Sequence, residues 1–121
     1  MNGISFDINE LEKDDNYIKY DIKIKIPNSL GYIDNLSFIC CNGNKNTCYN
    51  LKYSNSENDY NIFSNVVLLN TSALYYYFFS FDLNGKRVFY KNKNNDNKYN
   101  VSFDEMWKMS VNFSVPEWAK G

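Results

Sequence analysis

Carboxylates are the first side chains in this sequence that could do chemistry, and they occur as two adjacent pairs, Asp14-Asp15 and Asp104-Glu105. Glycosidic hydrolysis needs two carboxyl groups facing each other across a cleft, about 5–10 Å apart. Neighbours in the chain do not have that arrangement, so both pairs read as solvated charge. The sequence has no histidine, which removes Ser-His-Asp and Cys-His nucleophilic chemistry and most catalytic zinc sites. Its three cysteines are Cys40, Cys41 and Cys48. No pair has the C-x-x-C spacing of a zinc or redox motif. Cys40 and Cys41 are adjacent in a predicted strand and point to opposite faces. Cys48 is free to pair with either, but the odd count favours thiols and a reducing compartment. Asn92 to Asp96 offers oxygen ligands without the EF-hand order. No metal and no cofactor site is expected, and the chain is not expected to be an enzyme by itself.

The charges set further limits. Lys and Arg total 13 against 14 Asp and Glu, a net charge of −1. They are interspersed, so the clustered basic footprint of a nucleic-acid binder is missing. Lys93 and Lys98 fall in an Asn/Asp-rich stretch and read as a solvated loop. No apolar run approaches the roughly 20 residues that span a bilayer, so no membrane partner is expected. Met1 to Asp15 is acidic and has no apolar stretch of the secretory type. A cytoplasmic location is expected, with a secreted one left open. The Asn-x-Ser/Thr triplets, such as Asn35-Leu36-Ser37 and Asn112-Phe113-Ser114, follow from the abundance of asparagine.

The elements that would position any site are strands. From Ile18 to Ile26, Ile18, Tyr20, Ile22, Ile24 and Ile26 alternate with Lys19, Asp21, Lys23 and Lys25. That is a strand with one buried and one wet face, stopped by Pro27. Asn28 to Asp34 reads as a loop, Leu36 to Cys41 as a strand and Asn42-Gly43-Asn44 as a turn. Thr47 to Tyr53 alternates again, Ser54 to Asp59 is polar loop, and Tyr60 to Leu69 holds one or two strands. Leu74 to Leu83 is the strongest strand, and its face of Tyr75, Tyr77, Phe79, Phe81 and Leu83 is assigned to the core. Asn84-Gly85 then marks a hairpin. A two-residue turn places Asp82 opposite Arg87, Phe81 opposite Val88 and Phe79 opposite Tyr90, like matched with like. Lys91 to Asn100 is a polar loop, and Asp104 to Trp107 a short helical turn. Trp107, Met109, Val111, Phe113 and Val115 form a last alternating strand before Pro116. About seven short strands imply an all-β fold, an immunoglobulin-like antiparallel β-sandwich.

The other face of the strong strand is less ordinary. It carries Leu74, Tyr76, Phe78, Ser80 and Asp82 where a solvated sheet face should be polar. Phe89 falls beside Phe78 in the hairpin register, with Lys91 opposite Phe78. Tyr76, Phe78 and Phe89 therefore form either an exposed aromatic patch for a sugar ring or another domain, or a surface covered by a loop or by the N-terminal segment.

The C-terminal run Val115-Pro116-Glu117-Trp118-Ala119-Lys120-Gly121 resembles the strand and linker leading into the barrel of glycoside hydrolase family 13 enzymes. There, Pro-(Asp/Glu)-Trp-Ala-Lys-Gly precedes the first barrel strand. The hairpin Tyr75-Tyr76-Tyr77-Phe78 through Asn84-Gly85-Lys86 to Phe89-Tyr90 is similar to the aromatic hairpin of that family's N-terminal domain, carbohydrate-binding module family 34. The resemblance covers Ala73 to Gly121. Asn16 to Leu69 match only in strand rhythm, and Asn42 to Cys48 stands where the family often has an Asp-Pro-Tyr-Glu-Trp-like segment. The resemblance implies that residues 1–115 are a non-catalytic accessory sandwich and that residues 116–121 begin a linker to a catalytic barrel. It further implies an α-glucan partner (starch, glycogen or cyclodextrin), docking on the barrel of the same chain, and a possible homodimer. Tyr76, Phe78 and Phe89 are the expected binding or docking residues, and Trp118 the linker anchor. The competing reading is a structural or protein-interaction sandwich without carbohydrate affinity.

Overall fold

The computed structural model describes residues 3–43, 45–71, 73–93 and 101–111. Nine strands occur among them: β1 (Ser5–Lys13), β2 (Tyr17–Pro27), β3 (Ile33–Asn42), β4 (Lys45–Asn50), β5 (Lys52–Glu57), β6 (Tyr60–Asn70), β7 (Ala73–Leu83), β8 (Lys86–Tyr90) and β9 (Trp107–Val111). Two single 3-10 turns, Asn28–Leu30 and Phe103–Glu105, interrupt them. One sheet has the order β1-β2-β6-β5, the other β4-β3-β7-β8 with β9 also paired to β7. All pairings are antiparallel. This is the immunoglobulin strand order, ABED against C′CFG, with β8 and β9 sharing the last position. β9 borders the first half of β7 (Ala73–Tyr77) and β8 the second half (Phe79–Leu83).

The alternation in β2 has the expected cause. Ile18, Tyr20, Ile22, Ile24 and Ile26 are buried, and the residues between them face outward. They meet Phe38, Cys40, Tyr77, Phe79 and Phe81 of the opposite sheet in one core. The Tyr75 hydroxyl accepts a hydrogen bond from the Asn70 backbone N–H at 3.1 Å. A tyrosine at the start of this strand, bonded back across the corner, is the tyrosine corner of immunoglobulin-like sandwiches. Asn84 and Gly85 both have positive φ (51° and 85°), as a two-residue type I′ turn requires. The pairings Asp82–Arg87, Phe81–Val88 and Phe79–Tyr90 form as read from the sequence.

Two strands, β1 and β5, are added to the expected seven. The acidic N-terminal segment contains β1, where Phe6 and Ile8 face the core while Asp7 and Glu12 point outward opposite Lys23 and Lys19. Thr47 to Tyr53 is two strands. The chain changes sheets at buried Leu51, whose N–H bonds to the Leu36 carbonyl at 2.8 Å. Ser54 to Asp59 is mostly β5, a fully exposed edge strand closed by Asn58-Asp59 at φ 46° and 69°. The last strand is present through Val111; Phe113 and Val115 lie outside the described residues.

Candidate functional site

β7 presents a second apolar face on the outside of the sandwich, and residues 101–106 fold across it. Phe78 (7 % exposed), Cys41 and Met106 are buried there, flanked by Ile39, Tyr76, Phe89 and Val101. Phe78 and Phe89 have ring centroids 6.2 Å apart. Phe103, on the turn above, lies 4.9 Å from Tyr76 and is itself half exposed. The expected open patch of Tyr76, Phe78 and Phe89 is therefore corrected: Phe78 is buried, Phe89 is half-buried, and only Tyr76 meets a groove. The cover is a loop, one of the two alternatives the sequence left open. Trp118 lies outside the described residues.

An ion pair holds the cover down. The sequence places Lys91 at the start of a polar loop and reads Asp104-Glu105 as solvated charge. Instead Lys91 has no side-chain exposure, and its Nζ lies 3.1 Å from Glu105 Oε2. The other carboxylate oxygen accepts from the Ser102 backbone N–H at 3.2 Å and shares the Ser102 hydroxyl, 2.9 Å away, with Asp104 Oδ1 at 2.5 Å. These Ser102 bonds, together with Lys91, hold the Glu105 carboxyl down at about 2. A buried cation opposite a fully bonded carboxylate is the arrangement that tolerates removal from water. The backbone closes the same junction, with Asn92 and Lys93 N–H groups donating to the Glu105 carbonyl at 2.9 and 3.2 Å. Asp104, its neighbour, stays exposed.

Beside the cover runs a groove of about 570 Å³, lined among others by Tyr76, Phe103, Asn92, Lys93, Asp104 and Lys108. One wall is a pair of aromatic rings; the rim carries an amide, a carboxylate and two ammonium groups. Nearer the hairpin the same sheet face turns polar. There Arg87 bonds Ser80 Oγ at 3.1 Å and Asp82 Oδ1 at 3.1 Å, and Asn35 donates to Asp82 Oδ2 at 2.8 Å.

The cysteines are all free thiols. Cys40 is in the inner core and Cys41 under the outer cover, so the opposite-face reading holds and both are buried. Burial, then the neighbouring Cys41, pushes the Cys40 thiol up to about 12, which keeps it protonated and unreactive. Cys48 is exposed. Among the described residues no three acidic or cysteine side chains gather as metal ligands.

Sequence reasoning missed Phe103, Lys91 and Glu105. One signal was present: Ser102-x-x-Glu105 is the capping-box pattern, and it fixes the turn that carries Phe103. Compared with known proteins, the chain matches no family model, no curated protein and no solved structure.

Proposed function

We propose that this chain is a non-catalytic accessory sandwich of an α-amylase-family glycoside hydrolase that holds an α-glucan in the Tyr76–Phe103 groove. The observation that carries the reading is the groove itself: two adjacent aromatic rings bordered by Asn92, Lys93, Asp104 and Lys108. Aromatic rings take the apolar face of a sugar, and amide and charged groups take its hydroxyls. The resemblance of the hairpin and of Pro116 to Gly121 to enzymes of that family supports the choice of glucan. Chemical-shift titration of the ¹⁵N-labelled chain with maltoheptaose and β-cyclodextrin tests it. The amides of Tyr76, Phe103 and Lys108 should move at millimolar sugar, and Phe103→Ala should abolish the response. Unmoved amides would overturn glucan binding at this groove. The isolated chain should not hydrolyse the glucan.

A second reading, a docking module without sugar affinity, is favoured by Leu74. It is 44 % exposed on the same face as Tyr76 and adds to exposed Phe103. The partner would be a barrel following Gly121 in the same chain, or a second copy of the sandwich. The parent reading frame and sedimentation of the isolated chain separate these two.

A further inference from the structure

Away from that groove, beside the β7–β8 turn, the two most exposed large hydrophobic side chains among the described residues face one cleft. Tyr32 is 70 % exposed and Tyr53 is 58 % exposed. Both line a cleft of about 470 Å³, together with Gly31, Ile33, Asn61 and Phe63. Exposed tyrosines are common singly. The Tyr53 side chain and the Tyr32 backbone are each held in place, and that sets them apart.

The backbone of Tyr32 is clamped to the β7–β8 turn. Its N–H donates to Asn84 Oδ1 at 2.9 Å, and its carbonyl accepts from the Asn84 N–H at 2.9 Å. Gly31 permits this approach. Its φ is +129°, and a Cβ there would lie 2.4–2.7 Å from the Asn84 side chain. Tyr53 is fixed by its ring and its hydroxyl. The ring meets Phe63 edge-to-face with centroids 5.9 Å apart, and the hydroxyl is 2.7 Å from Ser56 Oγ. Ser56 gives its one proton to Asn61 Oδ1 at 2.9 Å, so Tyr53 must donate to Ser56. The chain Tyr53→Ser56→Asn61 orients the Asn61 amide, whose nitrogen makes no hydrogen bond among the described residues. It also leaves the lone pairs of the Tyr53 oxygen free to accept.

We infer that the Tyr32–Tyr53 cleft is a second binding site, for a neutral saccharide. The lining carries no charged side chain, so a phosphate- or carboxylate-bearing ligand finds no counter-charge there. It offers two aromatic faces for the C–H face of a pyranose ring, an amide donor and a phenol acceptor for hydroxyls. Prior fixing of the Tyr53 ring and of the Tyr32 backbone lowers the ordering cost that weak sites otherwise suffer. This inference stands independently of the Tyr76–Phe103 reading.

The test is ¹⁵N chemical-shift titration of the intact chain with maltohexaose, cellohexaose and mannohexaose, and with adenosine as a planar, non-saccharide control. At least one hexaose should move the amides of Tyr32, Tyr53 and Asn61 at millimolar concentration. Tyr32→Ala should weaken that binding about tenfold, and Tyr53→Phe, which keeps the ring, should weaken it less. Tyr32→Ala removes an exposed side chain, so unchanged circular dichroism will certify its fold. If no hexaose moves these amides, or adenosine alone does, the inference is overturned. Shifts at Tyr76 and Phe103 are scored separately in the same spectra, so the two sites succeed or fail apart.

Discussion

The two faces of β7 are both aromatic, and they are covered by different means. The inner face, with Tyr75, Tyr77, Phe79 and Phe81 buried, is closed by a whole second sheet. The outer face is closed over Phe78 and partly over Tyr76 by one 3-10 turn and a Lys91–Glu105 ion pair, while Leu74 stays exposed. A sheet spreads its contacts over many strands, so no single residue secures it. A turn of three residues cannot bury enough surface to hold itself, and it therefore needs a specific polar lock. The inner face should govern global stability, and the outer face should govern the local order of residues 101–106.

Removing the inner ring tests this most severely. Phe79 has 0 % exposure, and Phe79→Ala should cost about 3–5 kcal/mol through lost burial and the cavity left behind. Urea denaturation followed by circular dichroism measures it. Phe78→Ala, under the cover, should cost clearly less, because the short segment above can settle into the space. Equal losses would show that the cover is as integral to the fold as the second sheet.

The lock comes next. Glu105→Gln removes the carboxylate that faces the buried Lys91 ammonium, a loss that is unfavourable in water-poor surroundings. Amide exchange at Asn92, Lys93 and Met106 should accelerate, while core amides in β2 and β7 keep their protection. Acid should imitate the substitution. The Glu105 carboxyl, at about 2 when folded against an ordinary 4.5, takes up its proton more readily in the unfolded chain. Its contribution is therefore complete above pH 4.5, shrinks as pH falls, and is gone below about 2. Protection factors of the same amides should fall through that window in the parent chain and stay flat in Glu105→Gln.

The same contrast explains what could be read from the residues. The inner face was legible because a strand's period of two repeats every other residue, and Ile18 to Ile26 and Tyr75 to Phe81 keep it without interruption. The hairpin register was legible because Asn84-Gly85 admits one common turn. Sheet switching at Leu51 was not, because a strand that crosses between sheets keeps its inward alternation, so Tyr49 and Leu51 look continuous. β1 and β5 were hidden because edge strands carry polar residues outward and show only a few apolar ones. The outer cover was least legible. Lys91 and Glu105 are 14 positions apart, and nothing in either residue type announces burial. Tyr32, just before β3, and Tyr53, in β5 of the other sheet, come to line one cleft only in the fold, and their sequence positions lie in a loop and at the end of an alternating run.

The smallest effect in the comparison is expected at the corner of the inner face. Tyr75→Phe keeps the ring in the core and removes only the hydroxyl that accepts the Asn70 N–H. A partly buried hydrogen bond of this kind contributes about 1 kcal/mol. The loss should appear as a lower urea midpoint with an unchanged slope, since the surface exposed on unfolding is the same. Because Tyr75 belongs to the face closed by the second sheet, the loss should spread over all slowly exchanging amides. If protection fell only at residues 101–106, the two faces of β7 would be coupled, and the division between global and local stability drawn here would fail.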